Sequence, residues 1–289
     1  MAPVRDGRGF LYKEAMKYLL LLPAVILALL FTVWPLVEVV RMSLTATNFI
    51  TTKWVGLANY AASLTDKAFL LAMANSALYI VLVVSMVTAG SLAAALLVFP
   101  LPKRWHDAAR FVFYIPALSA GIIIANVWKW IFHINGPINW MLGVVGMDEV
   151  SWVAQWYTAI PMVSIVVSLS TIGSTLIIYL ASMLSIDKSL FDAATIDGAS
   201  PRQVKWRIVV PIIAPTIGMM ALLAAIAAPQ IFETIYAMAP YDYSATLSYH
   251  IYRQAFQMSQ YGKASAQAIV LLLLTAGMVV AKNRIGREA

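Results

Sequence analysis

Six long apolar stretches of this chain, residues 18–37, 68–102, 111–128, 150–186, 208–232 and 264–281, hold no Asp, Glu, Lys or Arg. Each is at least about 18 residues long, enough for an α-helix to cross the roughly 30 Å hydrocarbon layer of a bilayer. Hydrocarbon offers no partner to an open backbone N–H or C=O. The runs must therefore be helices, whose backbone bonds close within the segment. Composition agrees: 62% of the 289 residues are hydrophobic and 11% are charged, against about 25% charged in an ordinary soluble domain. The expectation is an all-α membrane protein with six transmembrane helices. Residues 1–17 lie outside the membrane, and one six-helix domain covers 18–285 with no linker inside it.

The cations are unevenly shared between the two sides. Arg5, Arg8, Lys13, Lys17, Lys103, Arg104, Arg110, Lys188, Arg202, Lys205, Arg207, Lys282, Arg284 and Arg287 fall on one side; Arg41, Lys53, Lys67, Lys129, Arg253 and Lys263 fall on the other. The richer side is cytoplasmic, so both termini are expected inside. Trp54, Trp140, Trp152, Trp156, Tyr241 and Tyr243 then sit in outer loops, as an interfacial aromatic belt would. The net charge of +7 thus reports membrane sidedness, not a nucleic-acid partner. The basic start and its apolar run could be a signal peptide. The run is longer than a signal core and no small-x-small site follows, so 18–40 reads as a retained first helix.

Several chemistries find no residues here. Without cysteine there is no disulfide, thiolate metal site or cysteine nucleophile. His106, His133 and His250 lack metal-ligand spacing. Gly262-Lys263-Ala264-Ser265 echoes a phosphate-binding loop, but Gln257 stands where its leading glycine belongs. Any ATP used must be bound by another chain.

The most informative polar segment is 192–215, lodged between two apolar runs. Residues 189–196 can form a short helix, and Gly198 sits where a helix would end on a left-handed residue. Ser200-Pro201-Arg202-Gln203 reads as a new start: Ser200 as N-cap, Pro201 in the first turn, Gln203 completing a capping box. The result is helix, sharp turn, helix, a knob projecting from the membrane. A well-capped connector would look similar.

This segment resembles the EAA loop of ATP-binding-cassette (ABC) importer permeases. Their pattern is matched at Ala193, Ala194, Asp197, Gly198, Ala199, Ile208, Pro211 and Pro215, with Trp206 in the aromatic place, Asp192 for Glu and Val210 for Leu. The resemblance implies a MetI-like permease fold whose cytoplasmic loop 185–207 is the coupling loop. Asp192, Ala193, Ala194, Asp197, Gly198, Ala199, Ser200 and Pro201 would dock in a groove of a partner ATPase, and Pro211 and Pro215 would bend the entry to the fifth helix. It also implies the partners: a second, homologous permease, a homodimeric ATPase that binds ATP and Mg, and an extracytoplasmic substrate-binding protein. No cofactor would belong to this chain, which would be a transport subunit of a bacterial or archaeal inner membrane and not an enzyme.

Further segments resemble the carbohydrate branch, of the maltose and glycerol-phosphate permease type: Val55-Gly56-Leu57-Ala58-Asn59-Tyr60, Asn75-Ser76, Tyr114-Ile115-Pro116 with Trp128, Phe132, Gly136 and Asn139, Phe232-Glu233-Thr234-Ile235-Tyr236, and Ile251-Tyr252 with Phe256, Gly262, Ala264 and Ala266. The chain departs from the branch after the fifth helix, where Met238-Ala239-Pro240-Tyr241 replaces Thr-x-Gly-Gly-Pro, and in the fourth helix, which lacks the usual Trp. The resemblance implies the permease half of a path for a sugar, oligosaccharide or polyol. The alternatives are a non-sugar cargo such as glycerol phosphate or an amino acid, and an ion-coupled secondary transporter.

Polar residues inside the spans are the candidates for the substrate path. Ser164, Ser168, Thr171 and Thr175 share one face of the fourth helix, where interhelical packing is an equal reading. Gln230 and Glu233 lie together near the outer end of the fifth. Asn126 shares a face of the third with Lys129, which is expected to snorkel. Asn75 stands on the second, where a helix–helix hydrogen bond is the main reading. Tyr79, Trp128, Tyr179 and Tyr236 are available for stacking.

Overall fold

The apolar runs become helices, but local caps and breakers set their ends more than the flanking charges do. The computed structural model describes residues 7–47, 50–118 and 121–288, with side chains over 18–47, 50–116 and 121–282. Arg5 lies outside the described residues, and the side chains of Arg8, Lys13, Lys17, Arg284 and Arg287 lie outside the described ones. The chain divides into two compact units, Met1–Ser63 with Gln254–Ile269, and Leu64–Arg253 with Val270–Ala289.

In the first unit, α1 (Gly7–Ala28) continues through a wide π-type stretch, Leu29–Val33, into α2 (Trp34–Ser43). Helix thus begins within the segment 1–17. The Trp34 N–H reaches back five residues to the Leu29 carbonyl, just before Pro35. The wider turn makes room for a proline ring that would otherwise meet the carbonyl four residues earlier. A hairpin of β1 (Thr45–Thr47) and β2 (Thr52–Trp54) follows, the one departure from all-α among the described residues, and then α3 (Ala58–Leu64). The 55–60 motif organises this corner. Gly56 turns the chain at φ +57. The Asn59 amide donates to the Ser43 and Thr45 carbonyls, both at 2.9 Å. The Tyr60 and Ser43 hydroxyls meet at 2.8 Å. Gly262 lies so close to the Thr45 carbonyl that a β-carbon there would collide with it.

In the second unit, α4 (Lys67–Val98) and α8 (Trp156–Leu184) form the spine. Tyr79, Val83 and Val87 of α4 share a buried core with Val163 and Val166 of α8, and the Ser91 hydroxyl donates to the Ile172 carbonyl at 3.1 Å. The third expected span, 111–128, is not one helix. It is divided between α5 (Lys103–Leu118) and α6 (Gly121–Ile131), whose axes differ by 83°. Pro116 removes a backbone donor near the end of α5, and Gly121, a poor helix former, opens α6. Charge counting could not see this, because neither breaker carries charge. The fourth span also begins later than expected, at Trp156. Residues before it join α7 (Pro137–Val144) in a loop tied by Asn139. Its amide donates to the carbonyls of His133, Ile134 and Val150, while its oxygen accepts from the Val150 N–H and the Trp152 indole.

The remaining elements are α9 (Lys188–Ile196), α10 (Pro201–Val204), a second π-type stretch Lys205–Val209, α11 (Val210–Ala227), α12 (Glu233–Met238), α13 (Leu247–Tyr252) and α14 (Tyr261–Glu288). Among the described residues, five helices are long and apolar enough to cross a membrane: Tyr18–Ser43, Lys67–Val98, Trp156–Leu184, Pro201–Gln230 and Tyr261–Lys282. The α5–α6 pair, counted as one broken span, makes six.

Candidate functional site

The segment 187–215 is built almost entirely by local chemistry. Asp187 caps α9, its carboxylate accepting the Ser189 N–H at 2.9 Å. That bond holds its carboxyl below the usual value, so the cap is intact at neutral pH and is lost as pH falls through the lowered value. At the other end the Ala199 N–H bonds the Ala194 carbonyl and the Gly198 N–H bonds the Thr195 carbonyl, at 2.9 and 3.1 Å. This is a Schellman ending with glycine in the left-handed place, and Gly198 has φ +71. The capping box follows: the Gln203 N–H donates to the Ser200 hydroxyl at 3.3 Å, and the Ser200 N–H donates to the Gln203 side chain at 2.7 Å. Helix, turn and helix thus lie where the residues place them.

The knob is anchored at its root and open at its tip. Ala194 is buried, and Phe191 packs on Phe99 with ring centres 5.9 Å apart. Phe191 and Val204 join a core of Ala95 and Leu96 from α4, Tyr179 and Met183 from α8, and Val209 and Ile213. A displacement of α9 is therefore felt at the ends of three long helices. Asp192, Ala193 and Asp197 are exposed, and Ile196 is 86% exposed. A groove of about 460 Å³ runs along the knob between Ala193, Asp197, Gly198, Gln203 and Arg207. Pro211 and Pro215 do not interrupt the fifth span, which runs from Pro201 to Gln230. The Val210 N–H bonds the Lys205 carbonyl five residues back, the arrangement already seen before Pro35. The π-type turn, Lys205–Val209, ends just before Pro211.

The interior polar residues divide sharply. Asn75 is buried, and its amide donates to the Asp242 and Ala245 carbonyls at 3.2 and 3.1 Å. It pins α4 to the segment before α13. Ser168 and Thr175, with Ser164, are buried inside the chain, and Thr171 is half-buried with its hydroxyl donating to the Val167 carbonyl at 2.8 Å. The hydroxyls of Ser164, Ser168 and Thr175 meet no hydrogen-bond partner among the described residues. Asn126, Gln230 and Glu233 are exposed. The first two turn their amides to the carbonyls of Ile122 and Ile226. The Glu233 carboxylate lies over Gly121, where any side chain would strike it. Beside Glu233, the rings of Phe232, Tyr236, Tyr249 and Tyr252 form one cluster, with Phe232 to Tyr252 at 4.8 Å and Phe232 to Tyr236 at 5.6 Å.

With that geometry in place, comparison with known proteins assigns the chain. A family model described as "Binding-protein-dependent transport system inner membrane component" matches residues 86–286. The chain belongs to this family. It is 31% identical over 271 residues to the probable ABC transporter permease protein YurN of Bacillus subtilis, covering 91% of this chain and 92% of that protein. It is 25% identical over 274 residues to the lactose transport system permease protein LacF of Rhizobium radiobacter, covering 92% of each. The solved structure of a bacterial ABC transporter that imports the acidic polysaccharide alginate superimposes with a TM-score of 0.88 at 24% identity, covering 97% of this chain and 98% of that one.

The permease is thus a multi-pass membrane subunit of an ABC importer with the MetI-like fold. Two of its features were not assembled from sequence. The ring cluster joins Tyr236 of α12 to Tyr252 of α13; each stood in a family-like motif, but nothing local says that they meet. A cavity lined by residues 129–154 and 238–241 is likewise invisible until α6 and α12 pack side by side.

Proposed function

We propose that this permease forms half of the translocation path of an ATP-driven importer for a sugar, oligosaccharide or polyol. The segment 187–201 carries the reading: a rigid knob, fixed by a Schellman ending and a capping box, exposed at its tip and rooted among α4, α8 and α11. A partner ATPase would hold this knob through Asp192, Ala193, Ala194, Asp197, Gly198, Ala199, Ser200 and Pro201. The exposed Asp192 and Asp197 suit charge-assisted bonds to cationic groups of that ATPase. The helix that starts at Pro201 runs unbroken to Gln230, so rotation of the knob turns the fifth span and moves the segment around Gln230 and Glu233.

The family assignment supports the remaining parts of the proposal. A second, homologous permease would complete the path, and two copies of the ATPase would bind ATP and Mg. An extracytoplasmic binding protein delivers the ligand. Both termini face the cytoplasm of a bacterium or archaeon. The lactose and alginate carriers among its relatives favour a saccharide cargo, and the exposed ring of Tyr236 and the half-buried ring of Tyr252, with the exposed Gln230 and Glu233 of the same region, offer the stacking surfaces and acceptors that sugar hydroxyls need. Purifying the tagged permease from native membranes in mild detergent tests this. The expected eluate contains one ATPase and one further six-span permease. A chain that purifies alone would contradict the proposal.

A further inference from the structure

At the opposite end of α8 from the knob, roughly 40 Å away at about 1.5 Å per residue over 29 residues, lies a cavity of about 300 Å³. That is the lower end of the range of roughly 300–1,000 Å³ for small-molecule sites, enough for a single sugar ring. Its walls include Lys129, Phe132, His133, Trp152, Met238 and Tyr241. The last two belong to the stretch where the sequence departs from its carbohydrate-branch relatives.

The walls are held rigid. The Trp152 indole donates to the Asn139 side chain at 3.1 Å, and its ring packs against Phe132 at 6.5 Å. The Tyr241 ring stacks on Tyr243 at 5.0 Å and 13°, and the Tyr243 hydroxyl donates to the Ala154 carbonyl at 2.7 Å. Aromatic faces fixed in this way suit the C–H face of a pyranose ring.

The polar side chains that line the cavity are Lys129, His133, Ser151 and Tyr241. Lys129 brings an ammonium group and forms no ion pair among the described residues. The His133 Nδ1 accepts the Asn135 N–H at 3.2 Å, which leaves Nε2 as the ring's donor. Tyr241 adds a hydroxyl. No carboxylate or carboxamide side chain lines the cavity, and the neighbouring Asp242 is taken by Arg253. Neutral and acidic rings alike bring O–H groups, which the Ser151 and Tyr241 hydroxyls can meet; what sets a uronic ring apart is its carboxylate. A carboxylate brings only acceptors, and a negative charge as well.

We propose that this cavity is a subsite for the carboxylate-bearing ring of an acidic saccharide, a uronic acid residue. Lys129 pairs with the carboxylate, His133 and Tyr241 donate to ring oxygens, and Trp152 covers the apolar face. The proposal rests on the saccharide reading above, but binding is measured without ATP, so its failure is separable from failure of ATP-driven uptake. The experiment is calorimetric titration of the assembled importer in phosphatidylcholine nanodiscs with trigalacturonate, and with maltotriose as the neutral control. Trigalacturonate is expected to bind about tenfold more tightly than maltotriose, and Lys129→Gln to remove about that factor while leaving maltotriose unchanged, as for one partly exposed charge pair. Tyr241→Phe, which keeps the stack but loses a bond to oxygens that both saccharides have, should weaken trigalacturonate and maltotriose alike. Equal affinity for the two saccharides, or a Lys129→Gln variant that binds trigalacturonate as before, overturns it. So does loss of trigalacturonate binding on adding phosphatidylglycerol, which would make the site a lipid-headgroup site.

Discussion

Gly198→Asp is expected to leave the permease in the membrane at its normal level while abolishing uptake. Gly198 holds φ +71 at the turn of the knob. Asp enters the left-handed region more easily than most residues, at a cost of about 1 kcal/mol. Among the described residues, none beyond its chain neighbours lies within 4 Å of the position its β-carbon would take, so the substitution crowds none of them. The new side chain and charge instead fall on the exposed tip, where the proposed ATPase would sit. If that contact is a hot spot worth about 2 kcal/mol, association weakens by roughly thirtyfold. Membrane immunoblots and transport assays on the same vesicles separate the two effects: normal protein with uptake at background fits, and normal uptake does not. Disappearance of the protein would instead make Gly198 a folding residue and remove it from the coupling argument.

Gly173→Ala is expected to do the reverse, striking the fold before any step of transport. Gly173 lies on α8 where α5 crosses it, and an added methyl would fall well inside contact distance of the Phe113 carbonyl. A backbone carbonyl held in a helix cannot swing aside as a side chain would, so α5 and α8 must part. Overpacking costs typically about 1–3 kcal/mol, and a clash with backbone belongs at the upper end. Close approach at a small residue is also what holds helices together in lipid. The purified variant should therefore melt roughly 6–12 °C lower. Gly218→Ala and Gly277→Ala, which meet nothing within 4 Å, should melt as the parent does. A Gly173→Ala protein with an unchanged melting point would contradict the crossing geometry.

How much could be read in advance depended on how local the cause was. The spans were legible because a long charge-free run has few physical meanings. The knob was legible because a cap acts within four residues: Gly198, Ser200 and Gln203 announce their roles in the sequence. The break in the third span was lost because charge counting ignores Pro116 and Gly121, which end helices without bearing charge. Asn75 could not be placed because its partners lie at residues 242 and 245; a polar residue in a span looks alike whether it binds cargo or backbone. Ser168 and Thr175 pose the same ambiguity, because hydroxyls at helical spacing suit packing and cargo alike. The cavity around Lys129 and Tyr241 needed α6, α8 and α12 brought together, and no periodicity encodes that.

The central claim is that this chain moves its cargo only as part of an ATP-driven assembly gripping the knob at 187–201. The most direct measurement is uptake into proteoliposomes that contain the purified assembly, with the loaded binding protein outside. Uptake is expected to require ATP inside, to persist when ion gradients are collapsed, and to vanish when the ATPase is omitted. A permease that accumulates substrate alone, without ATP and in proportion to an imposed ion gradient, would contradict the account.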